Sequence, residues 1–357
     1  MQETKTDRDE DMKSIKVKFV DHWSEFNPSA NVFMRALSER FDVRLDEDPE
    51  YLFFSAHGFD YLEYDVPRIF FTQENLRPDF NTCDYALAFD RMTFGDRYFR
   101  FPLYLLERQE ALLALSAGMP MNHEGEKEFC NFVVSNGTPG SRRDEMFHLL
   151  SAYKKVDSAG AHLNNVGYKP KDKIAFQSKY KFSIAFENSS TPGYTTEKLI
   201  DAAYAGTVPI YWGDPDIGLD FYTEAFVNCG DYPSLEAAAR RVIELDQDDN
   251  AYRRVRDRSI LRRPLESYSF DAGFETFFYN IFEQNWNKAF RRNRVFWGVR
   301  YEEQLRDFGR FVHRRELWFP KIIRRFMTLG LVGTLRRTSQ KIALRLFGKA
   351  KGVLPER

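Results

Sequence analysis

A polar and charged stretch separates two apolar runs in the middle of the chain, Phe182 to Phe186 and Val208 to Trp212. Between them stand Asn188, Ser189, Ser190, Tyr194, Glu197 and Lys198. Their amides and hydroxyls suit the hydroxyls of sugars and ribose, and a lysine is a point charge suited to phosphate. A plainer interpretation makes Glu197 a charge at the start of a helix and Lys198 a solvated residue. Neither a G-x-G-x-x-G string nor a P-loop is present.

The spacing of these residues predicts a βαβ unit. The two apolar runs are strands, Thr195 or Thr196 is the N-cap, Glu197 to Tyr204 is the helix, and Gly206 ends it. Open α/β sheets bind ligands at the carboxyl ends of their strands, where a helix N-terminus also attracts anions. The unit therefore predicts a site for a diphosphate.

Further apolar runs predict the strands of two α/β domains, as expected for 357 residues. The predicted strands are Ile15 to Trp23, Tyr51 to Ser55, Ile69 to Phe71, Asp84 to Phe89 and Phe129 to Val134. A helix is predicted from Arg142 to Lys154. We divide the chain into a disordered N-terminus (1–14), a first α/β domain (15–117), a second α/β domain (118–300) and a basic amphipathic tail (301–357).

The distribution of charge and the number of cysteines limit the binding partners and the cellular compartment that we expect. From Arg310 to the end there are 13 Lys or Arg and two acidic residues, although the whole chain has a net charge of −1. This distribution argues against nucleic acid and favours an anionic membrane surface for the tail, unless the tail packs on the protein. Three separated cysteines argue against a disulfide framework. The polar start of the chain predicts neither a signal peptide nor a membrane anchor, and hence a cytoplasmic protein.

Several strings resemble the signature of the α1,3/4-fucosyltransferase family (glycosyltransferase family 10), and its bacterial, anchor-free branch in organisation. The strongest is the ordered set Phe186-Glu187-Asn188-Ser189, Gly193-Tyr194-Thr195-Thr196-Glu197-Lys198-Leu199 and Pro209-Ile210-Tyr211-Trp212-Gly213. It is reinforced by Phe70-Phe71-Thr72-Gln73-Glu74-Asn75, Cys83-Asp84-Tyr85-Ala86 and Phe94-Gly95-Asp96-Arg97-Tyr98. The resemblance covers roughly residues 15 to 300.

The resemblance implies the GT-B fold, in which two Rossmann-like α/β domains face a cleft. Residues 15–117 would then be the acceptor-side domain and residues 118–300 the GDP-fucose-binding domain. It also implies an inverting transfer with GDP-fucose as donor substrate, no other cofactor and no required metal. Glu74 would be the catalytic base, although Gln73 stands where the family commonly has Gly. The donor would be bound by Arg143, Asn188, Tyr194, Glu197 and Lys198, with Asn75 and Glu187 as possible further site residues.

Some assignments stay open. Arg142 and Arg143 would exchange roles after a one-residue slip in the alignment. Glu187 could be a second functional carboxylate or a buried structural partner. His57 and His123 are alternative bases that are better explained as structural residues. The acidic string from Asp246 to Asp249 is interpreted as solvated rather than as a metal site.

The sequence thus predicts transfer of L-fucose from GDP-fucose to O3 of GlcNAc in an N-acetyllactosamine-type acceptor, as in Lewis antigen synthesis on lipopolysaccharide. The protein would be peripheral at the inner face of the bacterial cytoplasmic membrane. The alternatives are a GT-B transferase with another sugar nucleotide, and a non-catalytic, membrane-associated carbohydrate-binding protein.

Overall fold

A computed structural model describes residues 12–121, 125–135, 137, 140–262 and 272–314. These residues divide into two compact units, one with residues 12–57 and 64–292 and one with residues 58–63 and 293–314. The predicted disordered N-terminus falls outside the described residues except for its last positions, and so do His123 and most of the basic tail. In the described part, no helix is both long and apolar enough to cross a bilayer.

The larger unit contains two parallel sheets among its described residues. The first has the order β2-β1-β3-β4-β5-β6, with β1 (Ser14–Val20), β2 (Asp42–Leu45), β3 (Tyr51–Phe54), β4 (Arg68–Phe71), β5 (Tyr85–Ala88) and β6 (Tyr98–Arg100). The second has the order β11-β10-β9-β7-β8, with β7 (Glu128–Phe132), β8 (Val156–Ser158), β9 (Tyr180–Phe186), β10 (Val208–Trp212) and β11 (Val227–Asn228). The sequence therefore predicted the buried central strands correctly and missed β2, β6, β8 and β11.

Helices cover these sheets. They are α1 (Val32–Ser38), α2 (Leu103–Glu107), α3 (Gln109–Ser116), α4 (Arg142–Ser151), α5 (Lys173–Gln177), α6 (Lys198–Tyr204), α7 (Leu235–Gln247), α8 (Asp249–Arg256) and α9 (Ala272–Glu283). The smaller unit contains α10 (Trp297–Arg314) and a single turn at Asp60–Glu63. Within that unit, the ring of Phe308 packs edge-on against Phe59 at 5.8 Å between centroids.

The second sheet owes its stability to continuous apolar strands. All of β9 except Lys181 is buried, and β10 pairs with it in parallel register from Val208 opposite Phe182 to Trp212 opposite Phe186. Such runs are typical of strands that are covered on both faces. Because the register is parallel, the residues that follow both strands meet at one edge of the sheet.

The core of the first sheet includes a helix from far along the chain. In α9, Phe278 packs with Phe33 and Phe282 with Phe53. Phe274 stacks on Phe101, at the end of the first sheet. Conversely, Leu112 of α3 packs with Leu199 and Ile200 of α6, next to the second sheet. The domain limits stay a prediction, but any division must assign α9 to the core of the first sheet.

Candidate functional site

The loop between β9 and α6 is organised around a buried carboxylate. Glu187 has no exposed surface, and its Oε1 accepts from the backbone N–H of Thr196 at 2.7 Å. Its Oε2 accepts from the Thr196 hydroxyl at 2.7 Å and from Lys198 Nζ at 3.1 Å. These contacts fit the structural alternative for Glu187, since the carboxylate orders the loop and positions the lysine.

The same contacts correct the predicted N-cap. The helix begins at Lys198, and Glu197 precedes it without a capping side-chain hydrogen bond. Thr196 does not cap the helix, because its hydroxyl donates to Glu187 and accepts from Lys198 Nζ, which lies 2.7 Å away. Thr195 does not cap it either, because its hydroxyl donates to Asp214 at 3.4 Å.

Glu197 and Lys198 form a charged pair at this edge, with 3.3 Å between Glu197 Oε1 and Lys198 Nζ. Burial would raise the pKa of Glu197, but the charges of Lys198 and Lys173 outweigh it and lower the pKa to about 2. Burial opposes the charge of Lys198 as well, yet Glu187 and Glu197 raise its pKa. Both side chains are therefore ionised at neutral pH.

Arg143 lies beside this pair, in the first turn of α4. Ser141 caps the helix by accepting from the N–H of Asp144. The buried guanidinium of Arg143 donates to the carbonyl of Phe186 at 2.8 Å and to Asn188 Oδ1 at 2.6 Å. Arg142, by contrast, is exposed, and its guanidinium lies 5.5 Å from the centroid of the Trp212 ring. The geometry therefore favours Arg143 over Arg142 as the donor-side arginine.

Tyr194 is held where the two sheets approach each other. Its ring packs edge-on against Phe89, with 4.8 Å between centroids, and burial raises the pKa of the phenol. Gly193 precedes it with φ +86°, and a Cβ there would lie 2.4 Å from the Phe89 carbonyl oxygen. Only glycine satisfies both the conformation and this close approach.

Glu74 occupies the opposite side, on the loop after β4, and its side chain is exposed. Its backbone N–H donates to Thr72 Oγ1 at 3.0 Å. The next residue joins the two edges, because Asn75 Nδ2 donates to Ser189 Oγ at 2.6 Å and to Thr191 Oγ1 at 2.8 Å. The fold thus brings the predicted base and the predicted donor residues to facing carboxyl edges.

A network of buried charges between the sheets escaped the sequence analysis. Asp220 Oδ2 accepts from Arg91 at 2.6 Å and from Arg100 at 2.7 Å, and Arg91 also reaches Asp214 at 3.3 Å. Burial would raise the pKa of Asp220, but the two arginines lower it. No local sequence signal marks these residues, because Arg91 and Arg100 precede Asp220 by 129 and 120 positions.

The structure corrects one further prediction, since the string from Asp246 to Asp249 is exposed except at Asp246. Asp246 is not solvated, since its carboxylate is buried between Lys154 at 2.5 Å and Lys181 at 3.0 Å. Within the described ranges, no cluster of three potential metal-binding side chains occurs. A cavity of about 550 Å³ lies near Gly206 and the start of β10, at the other edge of the second sheet from Glu187 and Lys198.

Two protein families match the chain. The "Alpha-(1,3)-fucosyltransferase FucT N-terminal domain" family matches residues 17–107. The "Glycosyltransferase family 10 (fucosyltransferase) C-term" family matches residues 123–257. The two matches together cover most of the larger unit, including Glu74 in the first and Arg143 to Lys198 in the second.

Individual proteins agree with these matches. The alpha-(1,3)-fucosyltransferase FucT of Helicobacter pylori is 32% identical over 282 residues, which are 67% of this chain but 58% of that enzyme. The human 4-galactosyl-N-acetylglucosaminide 3-alpha-L-fucosyltransferase FUT5 is 35% identical over 139 residues, 37% of this chain and 36% of that enzyme. The chain thus covers less than two thirds of either enzyme's length.

A solved structure of an alpha1,3-fucosyltransferase with GDP-fucose aligns with a TM-score of 0.67 and 26% identity, over 82% of this chain and 96% of that chain. The likeness confirms the predicted fold class, a GT-B arrangement of two Rossmann-like sheets.

Proposed function

This chain belongs to glycosyltransferase family 10, the fucosyltransferases, and from that premise we propose that it transfers L-fucose from GDP-fucose to O3 of GlcNAc in an N-acetyllactosamine-type acceptor. The observation that carries the proposal is the fixed set of cations at the carboxyl edge of the second sheet. Arg143 and Lys198 are ordered there by Phe186, Glu187 and Asn188. A nucleoside diphosphate is the ligand that suits such a pair.

We propose that Arg143 and Lys198 bind the phosphates of GDP-fucose, with Asn188, Tyr194 and Glu197 on the nucleotide or the sugar. The departing GDP carries its growing charge on phosphate oxygens, so cations stabilise it without a proton donor. Charge-assisted hydrogen bonds of this kind contribute about 1.5 to 3 kcal/mol each. The two side chains supply positive charge that a divalent metal would otherwise bring, which supports metal-independent transfer.

On the facing edge, we assign Glu74 as the general base of an inverting transfer. The carboxylate takes the proton of the acceptor O3 while that oxygen forms a bond to the anomeric carbon of fucose. The bond from the anomeric carbon to the phosphate oxygen breaks on the opposite face, and GDP leaves. The exposure of Glu74 supports this role, because a base must be open to an incoming acceptor.

The test of the function is a matrix of GDP-fucose, GDP-mannose and UDP-sugars against N-acetyllactosamine and its Galβ1,3GlcNAc isomer, with and without EDTA. We expect fucose transfer to N-acetyllactosamine that survives EDTA, with an α1,3 linkage in the product by NMR. Transfer only from another sugar nucleotide would identify a different GT-B transferase. Binding of a glycan without turnover would instead support the carbohydrate-binding alternative.

The donor role of Lys198 has its own test by calorimetry. Lys198→Ala should weaken GDP-fucose binding by about 10- to 100-fold, because one charge-assisted contact is lost. Lys169→Ala, at an exposed position between β8 and α5, is the matched control and should bind like the wild type. Unchanged affinity of the Lys198 variant would remove the phosphate role.

We further propose that the basic tail attaches the enzyme to the anionic inner face of the bacterial cytoplasmic membrane, close to lipid-linked acceptors such as lipopolysaccharide precursors. The support is the excess of cations after Arg310. The full chain should sediment with phosphatidylglycerol vesicles more than a variant with Arg336→Ser, Arg337→Ser, Lys341→Ser and Arg345→Ser. Equal sedimentation would contradict membrane attachment.

A further inference from the structure

A small pocket opens at the carboxyl edge of the first sheet, beside the loop that carries Glu74. Its volume is about 280 Å³. The walls come from the segment after β1, the start of α1, the end of β4 and the end of α2, and they include Trp23, Glu25, Phe26, Phe71, Gln73 and Glu107. A pocket of this size, at the low end for small-molecule sites, suits one sugar ring better than an oligosaccharide.

One wall of the pocket is an aromatic surface that packs against further aromatic rings. The Trp23 indole is only partly buried, and it packs edge-on against Phe26 with 5.0 Å between ring centroids. Behind these rings, Phe26 stacks on His22 at 4.0 Å, and Trp23 lies 6.4 Å from the buried Phe71. Because its neighbours fix it, the indole can present a flat apolar face without loss of further side-chain freedom.

Two polar side chains complete the lining of the pocket. Gln73 Nε2 donates to Glu107 Oε1 at 3.2 Å, and Gln73 immediately precedes Glu74. The pocket therefore borders the loop that carries Glu74.

We propose that this pocket binds the β-galactose unit of the acceptor, with its apolar face on Trp23 and its hydroxyls on Gln73 and Glu107; this inference rests on the proposed function. A β-galactoside suits the wall, because its axial O4 leaves several C–H groups together on the other face of the ring. Galactose held here leaves the neighbouring GlcNAc beside Glu74. Trp23 then determines specificity for a disaccharide over GlcNAc alone.

The test compares two acceptors, octyl N-acetyllactosaminide and octyl β-GlcNAc, which lacks galactose. In Trp23→Ala, the KM for the disaccharide should rise about tenfold or more, while the KM for octyl β-GlcNAc and the affinity for GDP-fucose stay unchanged. Trp23→Phe should recover most of the preference for the disaccharide. Trp286→Ala is the matched control, because this partly exposed tryptophan does not line the pocket.

Saturation-transfer NMR with N-acetyllactosamine separates binding from turnover. The wild type should saturate the galactose protons, and Trp23→Ala should lose that signal. If the wild type transfers fucose but Trp23→Ala lowers activity equally with both acceptors, the pocket proposal is overturned and the function stands. If the galactose signal is present and depends on Trp23 but GDP-fucose is not used, the proposed function fails and the pocket stands. No binding of the disaccharide overturns the pocket.

Discussion

The two facing edges of the larger unit differ in how their polar groups are held. At the second sheet, hydrogen bonds hold the charged groups in place: Glu187 contacts Thr196 and Lys198, and Arg143 contacts Asn188. At the first sheet, Glu74 is exposed and Trp23 lines an open pocket. A leaving diphosphate needs charges that are fixed beforehand, whereas a base needs space for its substrate. Under the proposed function, the difference means that the donor side is pre-formed and that the acceptor side is left open.

The largest effect should come from the open edge. Glu74→Gln keeps the size of the side chain but removes its ability to take a proton, so kcat should fall by about 10²- to 10⁴-fold. The melting temperature and the affinity for GDP-fucose should not change, because the side chain is exposed. Glu110→Gln, on an exposed residue of α3, should retain full activity. A Glu74 variant with wild-type kcat would show that another group is the base.

Substitutions at the pre-formed edge should instead lower the free energy of unfolding. Glu187→Ala leaves Lys198 and the N–H of Thr196 without their buried partner, so the free energy of unfolding should fall by about 3 to 5 kcal/mol. Glu187→Gln, which can still accept from the Thr196 N–H, should cost less. Urea denaturation measures both variants. A loss below about 1 kcal/mol in Glu187→Ala would mean that the carboxylate does not organise the loop.

Much of the fold could be predicted because the central strands are continuous apolar runs. The strands that were missed are only two to four residues long, and Asp42–Leu45 is polar and partly exposed. Such segments form because a neighbouring strand offers hydrogen bonds, which local sequence does not reveal. The place of Phe274 and Phe278 in the core of the first sheet was equally hidden, since partners such as Phe101 and Phe33 lie more than 170 residues earlier.

The site shows the same division between local and distant causes. The resemblance named Arg143, Glu197 and Lys198, and the structure brings them to one edge. The resemblance could not name Arg91 or Arg100 as partners of Asp220, because these contacts join residues that are 129 and 120 positions apart. The Thr196 prediction failed for a related reason, since a buried carboxylate nine residues earlier competes for its hydroxyl and its N–H.

A smaller effect should be the pH dependence of stability that a buried histidine at the first sheet causes. His22 follows β1, and both of its ring nitrogens are buried. Burial, with a further contribution from His57, lowers its pKa to about 4. As the pH falls from 6.5 to 4, the imidazole of His22 is therefore protonated in the unfolded chain before it is protonated in the folded one. The free energy of unfolding falls by at most about 3 kcal/mol over this range. His22→Phe should remove that part of the pH dependence of unfolding. If the free energy of unfolding changed equally with pH in the variant and the wild type between pH 7 and 4, this role of His22 would be contradicted.

The smallest effect concerns the hydrogen bonds that join the two edges. Asn75→Ala removes two contacts, to Ser189 and to Thr191, and should lower the free energy of unfolding by about 1 kcal/mol. Because Ser189 belongs to the pre-formed loop, the KM for GDP-fucose should rise only a few-fold, while the preference for the disaccharide acceptor stays the same. Asn250→Ala, on an exposed residue of α8, is the control for loss of an asparagine. If the acceptor preference changed and the KM for GDP-fucose did not, Asn75 would act on the acceptor at the first sheet. The loop after β9 would then keep its geometry without the contacts from Asn75.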